Sequence, residues 1–195
     1  MKRFTHRTLT LGQRSITARF GEGADERAVV VVGGPDVELE DWLAPLDLQL
    51  VVPDLAGHFG GDFEVWPDRE ALRLLDDLAD RLVAEHAIAA DSIALVGVGA
   101  AAPLAWLGGC TSTRFAVIGS LGAPPVYDQL SRAKPMQPVE MTLNLDRALL
   151  AAFPAEAAHL EVVRDQLESG SKDFSWVPFD GTTPMALAKF LDERL

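Results

Sequence analysis

A chain of 195 residues in which 48% are hydrophobic suits one domain with a sizeable core and leaves little material for a second. Its formal charge of -12 repels phosphate backbones and anionic headgroups, which argues against nucleic acid and against a membrane surface as partners. No stretch reaches the roughly 18 uninterrupted apolar residues of a membrane span, and the basic start is not followed by the apolar region of a signal peptide. The single cysteine, Cys110, allows no internal disulfide, as expected of a cytoplasmic protein. Residues 4–11 and 15–20 alternate imperfectly around Gly12-Gln13 and predict a hairpin. Ala28–Val32 is then apolar without alternation, the pattern of a strand covered on both faces, and Leu48–Val52, Ile93–Val96 and Phe115–Ile118 repeat it. Between them, Asp68 to His86 carries Leu72, Leu75, Leu78, Ala79, Leu82 and Val83 at helical spacing. Further on, Pro138–Asn144 reads as a strand, Pro154–Leu167 as a helix, Asp173–Val177 as a strand and Pro184–Leu195 as a final amphipathic helix. A loop rich in Pro and Gly joins Ser120 to Pro138 and is too short for a cap domain. This alternation predicts one α/β domain over residues 1–195, a mostly parallel sheet with helices on both faces in three α/β/α layers. Ile93–Val96 is expected at its centre, between the strands ending near Val32 and Ser120.

Three stretches carry a resemblance. Val32-Gly33-Gly34-Pro35 resembles a turn after the third strand that supplies an oxyanion-hole amide, with Val32 where His is frequent. Val52-Pro53-Asp54-Leu55-Ala56-Gly57-His58 is similar to a PDLPGHG segment, with Ala56 for Pro and Phe59 for the final Gly. Gly97-Val98-Gly99-Ala100-Ala101 resembles the G-x-S-x-G nucleophile elbow. In this order they resemble the α/β-hydrolase superfamily from Ala28 to about Trp106, and the short, uncapped chain resembles its dienelactone-hydrolase branch. The resemblance implies an α/β-hydrolase-like fold and, in an intact member, ester chemistry by a Ser-His-acid triad.

The residues present do not supply that triad. An elbow needs small outer positions, which Gly97 and Ala101 satisfy, and a nucleophile at the centre, where this chain has Gly99. Strain at such a turn costs of order 1–3 kcal/mol for a residue with a Cβ, so glycine is what physics favours once a nucleophile is dispensed with. Asp146, read as following a strand, is the candidate acid, with a solvated carboxylate or helix cap as the plainer reading. The histidine should follow the last strand, near Thr182, and none is there. His6 falls in the first strand, His58 in the turn after the fourth, His159 inside a helix, and His86 ends a helix, where positive charge suits the macrodipole.

Other residues are weaker substitutes. Ser120, at a strand end on the same edge as Gly99, lacks an adjacent base and reads as a turn residue bonded to local backbone. Cys110, in the turn after a helix, reads as an inert thiol. Asp36, Glu38, Glu40 and Asp41 follow no calcium-loop spacing, so no metal is expected. Gly97-Val98-Gly99-Ala100-Ala101-Ala102 also satisfies G-x-G-x-x-A, the turn of a dinucleotide-binding unit, but no carboxylate for the ribose follows about 20 residues on. The expectation is therefore a catalytically inactive protein without a cofactor. It would bind a small apolar ligand or a protein partner near Gly33, Gly34, Gly99, Ala100 and Ser120, at the C-terminal edge of the sheet. A weak ester or thioester hydrolase and a dinucleotide-binding protein are the alternatives.

Overall fold

The computed structural model describes residues 4–11, 14–23, 26–33, 42–43 and 45–195. Its organising element is β3 (Ala28–Val32), five consecutive buried residues. They are apolar without alternation because both faces are covered. Ala28, Val30 and Val32 join one hydrophobic layer and Val29 and Val31 the other. Seven further strands complete the sheet: β1 (Phe4–Leu11), β2 (Arg14–Gly21), β4 (Gln49–Pro53), β5 (Ile93–Gly99), β6 (Val117–Gly122), β7 (Ala148–Phe153) and β8 (Phe174–Pro178). The order is β1-β2-β4-β3-β5-β6-β7-β8. β1 pairs antiparallel with β2, residue 4 opposite 21 and 11 opposite 14, and β2 pairs antiparallel with β4. All other neighbours are parallel. As expected, β5 is central, with β3 and β6 at its sides.

Helices cover both faces. On one lie α2 (Asp68–His86), α3 (Ala102–Thr111) and α4 (Leu160–Ser169), burying Leu74, Leu75, Leu78, Trp106 and Leu167. On the other lies α5 (Thr183–Arg194), burying Leu187, Phe190 and Leu191. Short α1 (Leu55–Phe59) follows β4. The two kinds of helix have different sequences because they meet different surroundings. α2 sits at the surface and is amphipathic, whereas every residue of α3 from Ala102 to Cys110 is buried, so it is apolar all round.

Two expectations fail in the second half. Pro138–Asn144 is a 3-10 helix, not a strand. Its first residue has no N–H to give a ladder, and Thr142 is held inside by donating to the Val139 carbonyl and accepting from the Trp106 indole. The true strand is β7, Ala-Leu-Leu-Ala-Ala-Phe, whose alanines favour helix on propensity alone. Burial between β6 and β8 overrides that preference. The helix predicted from Pro154 begins only at Leu160, because His159 stands before it in a left-handed conformation with φ 66°.

Candidate functional site

Parallel strands bring their carboxyl ends to one edge. Gly33 follows β3 there, β5 ends at Gly99, β6 at Gly122, β7 at Phe153 and β8 at Pro178. Gly97 pairs in register with Ser120, and Gly99 with Gly122. Gly34, expected from sequence as a second site glycine, lies outside the described residues, as do Asp36, Glu38, Glu40 and Asp41.

The turn from β5 into α3 has the geometry of an elbow. A Cβ on Gly97 would stand 2.6 Å from the Ala101 carbonyl oxygen and 2.7 Å from Ala105 Cβ, so only glycine lets helix and strand approach this closely. Gly99 is different. Its φ of 59° is left-handed, the conformation in which a side chain projects outward from a strained turn, yet a Cβ there would meet nothing within 4 Å among the described residues. The position therefore keeps the backbone and the room that a nucleophile would use, and carries no side chain. Gly122 closes the floor beside it: with φ 96°, a Cβ would lie 3.3 Å from the Gly99 nitrogen and 3.4 Å from Phe179 Cζ.

The neighbouring polar groups are occupied elsewhere. Ser120 is fully buried and its hydroxyl donates to the Ala102 carbonyl at 3.2 Å, tying β6 to the first turn of α3. It is not at the strand end, since β6 continues to Gly122. Thr182, at the expected histidine position, is exposed and donates both its amide (2.7 Å) and its hydroxyl (2.6 Å) to Asp180 Oδ1. These bonds hold the Asp180 carboxyl below its usual pKa. Thr183 is buried, accepts from the Asp180 amide at 2.9 Å and donates to the Pro178 carbonyl at 3.1 Å. The loop after β8 is thus closed upon itself, and the side chain it sends towards Gly122 is the half-buried ring of Phe179.

Asp146 is not an acid for this site. It precedes β7 and shares a shallow depression with Ala90, Asp91, Thr113, Ala116 and Arg147, all before or at the starts of strands. It belongs to the opposite edge, about 20 Å from Gly99 by the rise of a strand as long as β5. The error follows from taking Pro138–Leu145 as the strand. With β7 correctly placed, the carboxylate that follows the next-to-last strand is Glu156, exposed after Pro154-Ala155. Sequence reading misses it because an alanine-rich strand does not look like one.

The remaining groups are structural. Cys110 is buried, and burial pushes its thiol up to about 12, which favours the protonated form over the reactive thiolate. His86, expected to carry charge at a helix end, is instead held below its ordinary pKa by burial and by Arg7, and its ring stacks on Phe20 at 5.3 Å. His58 follows β4, two strand spacings or about 10 Å from β5, and packs edge-on to Phe59. Asp54 caps that turn: its Oδ1 accepts from the Gly57 amide at 2.7 Å. Among the described residues no group of three or more His, Cys, Asp or Glu could hold a metal ion.

Comparison with solved structures decides what this architecture is. A protein assigned as a dienelactone hydrolase from Klebsiella pneumoniae superposes with a TM-score of 0.75 at 17% identity, over 98% of this chain and 96% of that one. The fold is that of the α/β-hydrolases. An esterase from Pyrococcus furiosus matches with a TM-score of 0.74 at 12% identity, over 99% of this chain and 93% of its own. An acylaminoacyl peptidase from Pyrococcus horikoshii matches with a TM-score of 0.80 at 13% identity, over 100% of this chain and 42% of its own. No family model matches the sequence, and no curated protein matches it. Gly99 lies at the turn between the central strand and the helix that follows it. No helix among the described residues is long and apolar enough to cross a membrane.

Proposed function

We propose that this α/β-hydrolase-fold protein binds a small apolar molecule at the C-terminal edge of its sheet without performing hydrolysis. One observation carries the reading: the left-handed elbow position is Gly99, and among the described residues nothing fills the space where a nucleophile would stand. The supporting chemistry agrees. The loop after β8 offers Phe179 rather than a base, and the Ser120 hydroxyl is committed to Ala102. A nucleophile is needed to open an acyl bond covalently and a base to activate it, and among the described residues neither is found beside Gly99. A crevice persists at such an edge whether or not chemistry does. Dinucleotide binding gains no support, since β6 ends in Leu121-Gly122 without a carboxylate.

The alternative of a weak ester or thioester hydrolase rests on the hydrolases among the similar folds and on Glu156, a carboxylate after β7. p-Nitrophenyl butyrate separates the two readings, being both an apolar ligand and a reactive ester. We expect it to raise the melting temperature saturably, to release no p-nitrophenol above a denatured control, and to lose its effect in Gly99→Leu. Turnover together with stoichiometric labelling by a fluorophosphonate would establish the hydrolase instead. No shift and no turnover would remove the apolar-ligand reading.

A further inference from the structure

The antiparallel hairpin at one end of the sheet differs in charge from the rest of the molecule. The chain carries a formal charge of -12, yet residues 1–21 contain Lys2, Arg3, Arg7, Arg14 and Arg19 and neither Asp nor Glu. Among the described residues β1 pairs only with β2, so its other side is a free edge. That edge stands four strand spacings, about 19 Å, from β5 and the Gly99 turn.

The register decides which backbone groups the edge presents. In a strand, the N–H and C=O of one residue point to one side and those of the next residue to the other. The Thr17 carbonyl accepts from the Asp54 amide at 2.8 Å, so Thr17 and Arg19 point towards β4, and Ile16, Ala18 and Phe20 towards β1. Their partners Leu9, Arg7 and Thr5 are engaged with β2, and Phe4, His6, Thr8 and Thr10 point outward. The Thr10 carbonyl accepts from the Arg81 guanidinium of α2, which leaves Phe4, His6 and Thr8 facing an incoming strand. The side chains of His6, Arg7 and Thr8 are exposed. His6 lies opposite Arg19 on one face of the hairpin, whereas Arg7 lies on the other, 5.0 Å from the centre of the Phe20 ring. A strand laid on this edge thus meets a basic group on each face. β8, at the opposite edge of the sheet, has no charged residue from Phe174 to Pro178. Charge of either sign protects an edge, but a row of basic groups opposes a second β1 and suits a strand that bears carboxylates.

We propose that the free edge of β1 is a docking site for an extended acidic peptide. The peptide adds a strand by bonding to the backbone of His6 and Thr8, while carboxylates at successive positions meet Arg7 on one face and His6 with Arg19 on the other. Fluorescence anisotropy of a labelled Val-Glu-Glu-Val-Glu-Glu-Val peptide with the full chain tests this. Saturable binding is expected, weaker when ionic strength rises from about 10 mM to about 150 mM. Thr8→Pro removes one outward donor, spares the ladder to β2 and should weaken binding roughly tenfold. Arg7→Gln should weaken it by a similar factor and keeps the test available if Thr8→Pro does not fold by circular dichroism. The same peptide with an N-methyl group on every glutamate keeps its carboxylates, loses the ladder and should not bind. Absence of binding by the unmodified peptide would overturn the proposal. So would equal affinity for the N-methylated peptide, or in folded Thr8→Pro, since charge attraction alone would then suffice. A dimer in sedimentation that Thr8→Pro dissociates would give the edge to a second copy of the chain and overturn it as well.

Discussion

At the scale of single residues, two glycines on the same turn are there for opposite reasons. Gly97 is required by its neighbours and Gly99 by its own φ. We predict that Gly97→Ala costs roughly 3 kcal/mol, because the clash is with the Ala101 backbone and α3 must move. Gly99→Ser should cost only about 1–2 kcal/mol, since a left-handed residue with a Cβ is strained there without any clash. Denaturant melting of the two variants checks the order, and equal costs would remove the distinction. Gly99→Ser should still hydrolyse no ester, and adding Thr182→His should help little unless Glu156 orients the new ring, because Asp146 lies at the wrong edge to do so. His86 gives a pH dependence. Its pKa is lowered in the fold by burial and by Arg7, so the unfolded chain takes up the proton first. This contribution to stability is whole above the ordinary value of 6.5 and is lost as pH falls below it towards the folded-state pKa. His86→Gln should flatten the stability profile in that window, and an unchanged slope between wild type and variant would show that other groups produce it.

Between elements, the joint of α2 with residues 123–137, where Lys134 Nζ meets Asp68 Oδ1 at 2.6 Å, separates the net contribution of a buried pair from the cost of breaking it. Burial raises the Asp68 pKa and lowers that of Lys134, so each charge depends on the other to remain in place. Lys134→Met alone should cost about 3–5 kcal/mol by stranding the carboxylate. Asp68→Asn/Lys134→Met should cost clearly less than Lys134→Met alone, although it removes more of the wild-type contacts. Additive losses in urea melts would mean that the pair contributes as two independent surface charges do. The same scale explains the second half of the chain, where sequence and structure part. Pro138–Asn144 reads as a strand and is a 3-10 helix, while β7 escapes notice because Ala148–Phe153 is rich in alanine. Local preference is outvoted in both cases, by a proline without a donor and by a place between two parallel neighbours.

For the molecule as a whole, an excess of negative charge and a fold of known kind meet. A formal charge of -12 on 195 residues is self-repulsive, so raising ionic strength from about 10 mM to about 150 mM should increase the melting temperature as screening shortens the reach of each charge. A fall over that range would mean that specific ion pairs such as Arg194–Asp173 and Arg14–Glu70 outweigh the net repulsion. What the chain determined by itself was whatever depends on short-range pattern. Unbroken apolar runs identify strands covered on both faces, Asp54 with Gly57 and Gly97 with Ala101 identify turns, and the absence of serine at position 99 and of histidine after the last strand is a matter of inventory. Only the tertiary structure decided where the polar side chains are engaged. Ser120 is bonded to Ala102, Asp146 lies at the far edge, Glu156 follows the true seventh strand, and Lys134 meets Asp68 from 66 positions further along the chain. Those pairings join residues distant in sequence, and their partners are selected by the order in which strands assemble, which no local spacing encodes.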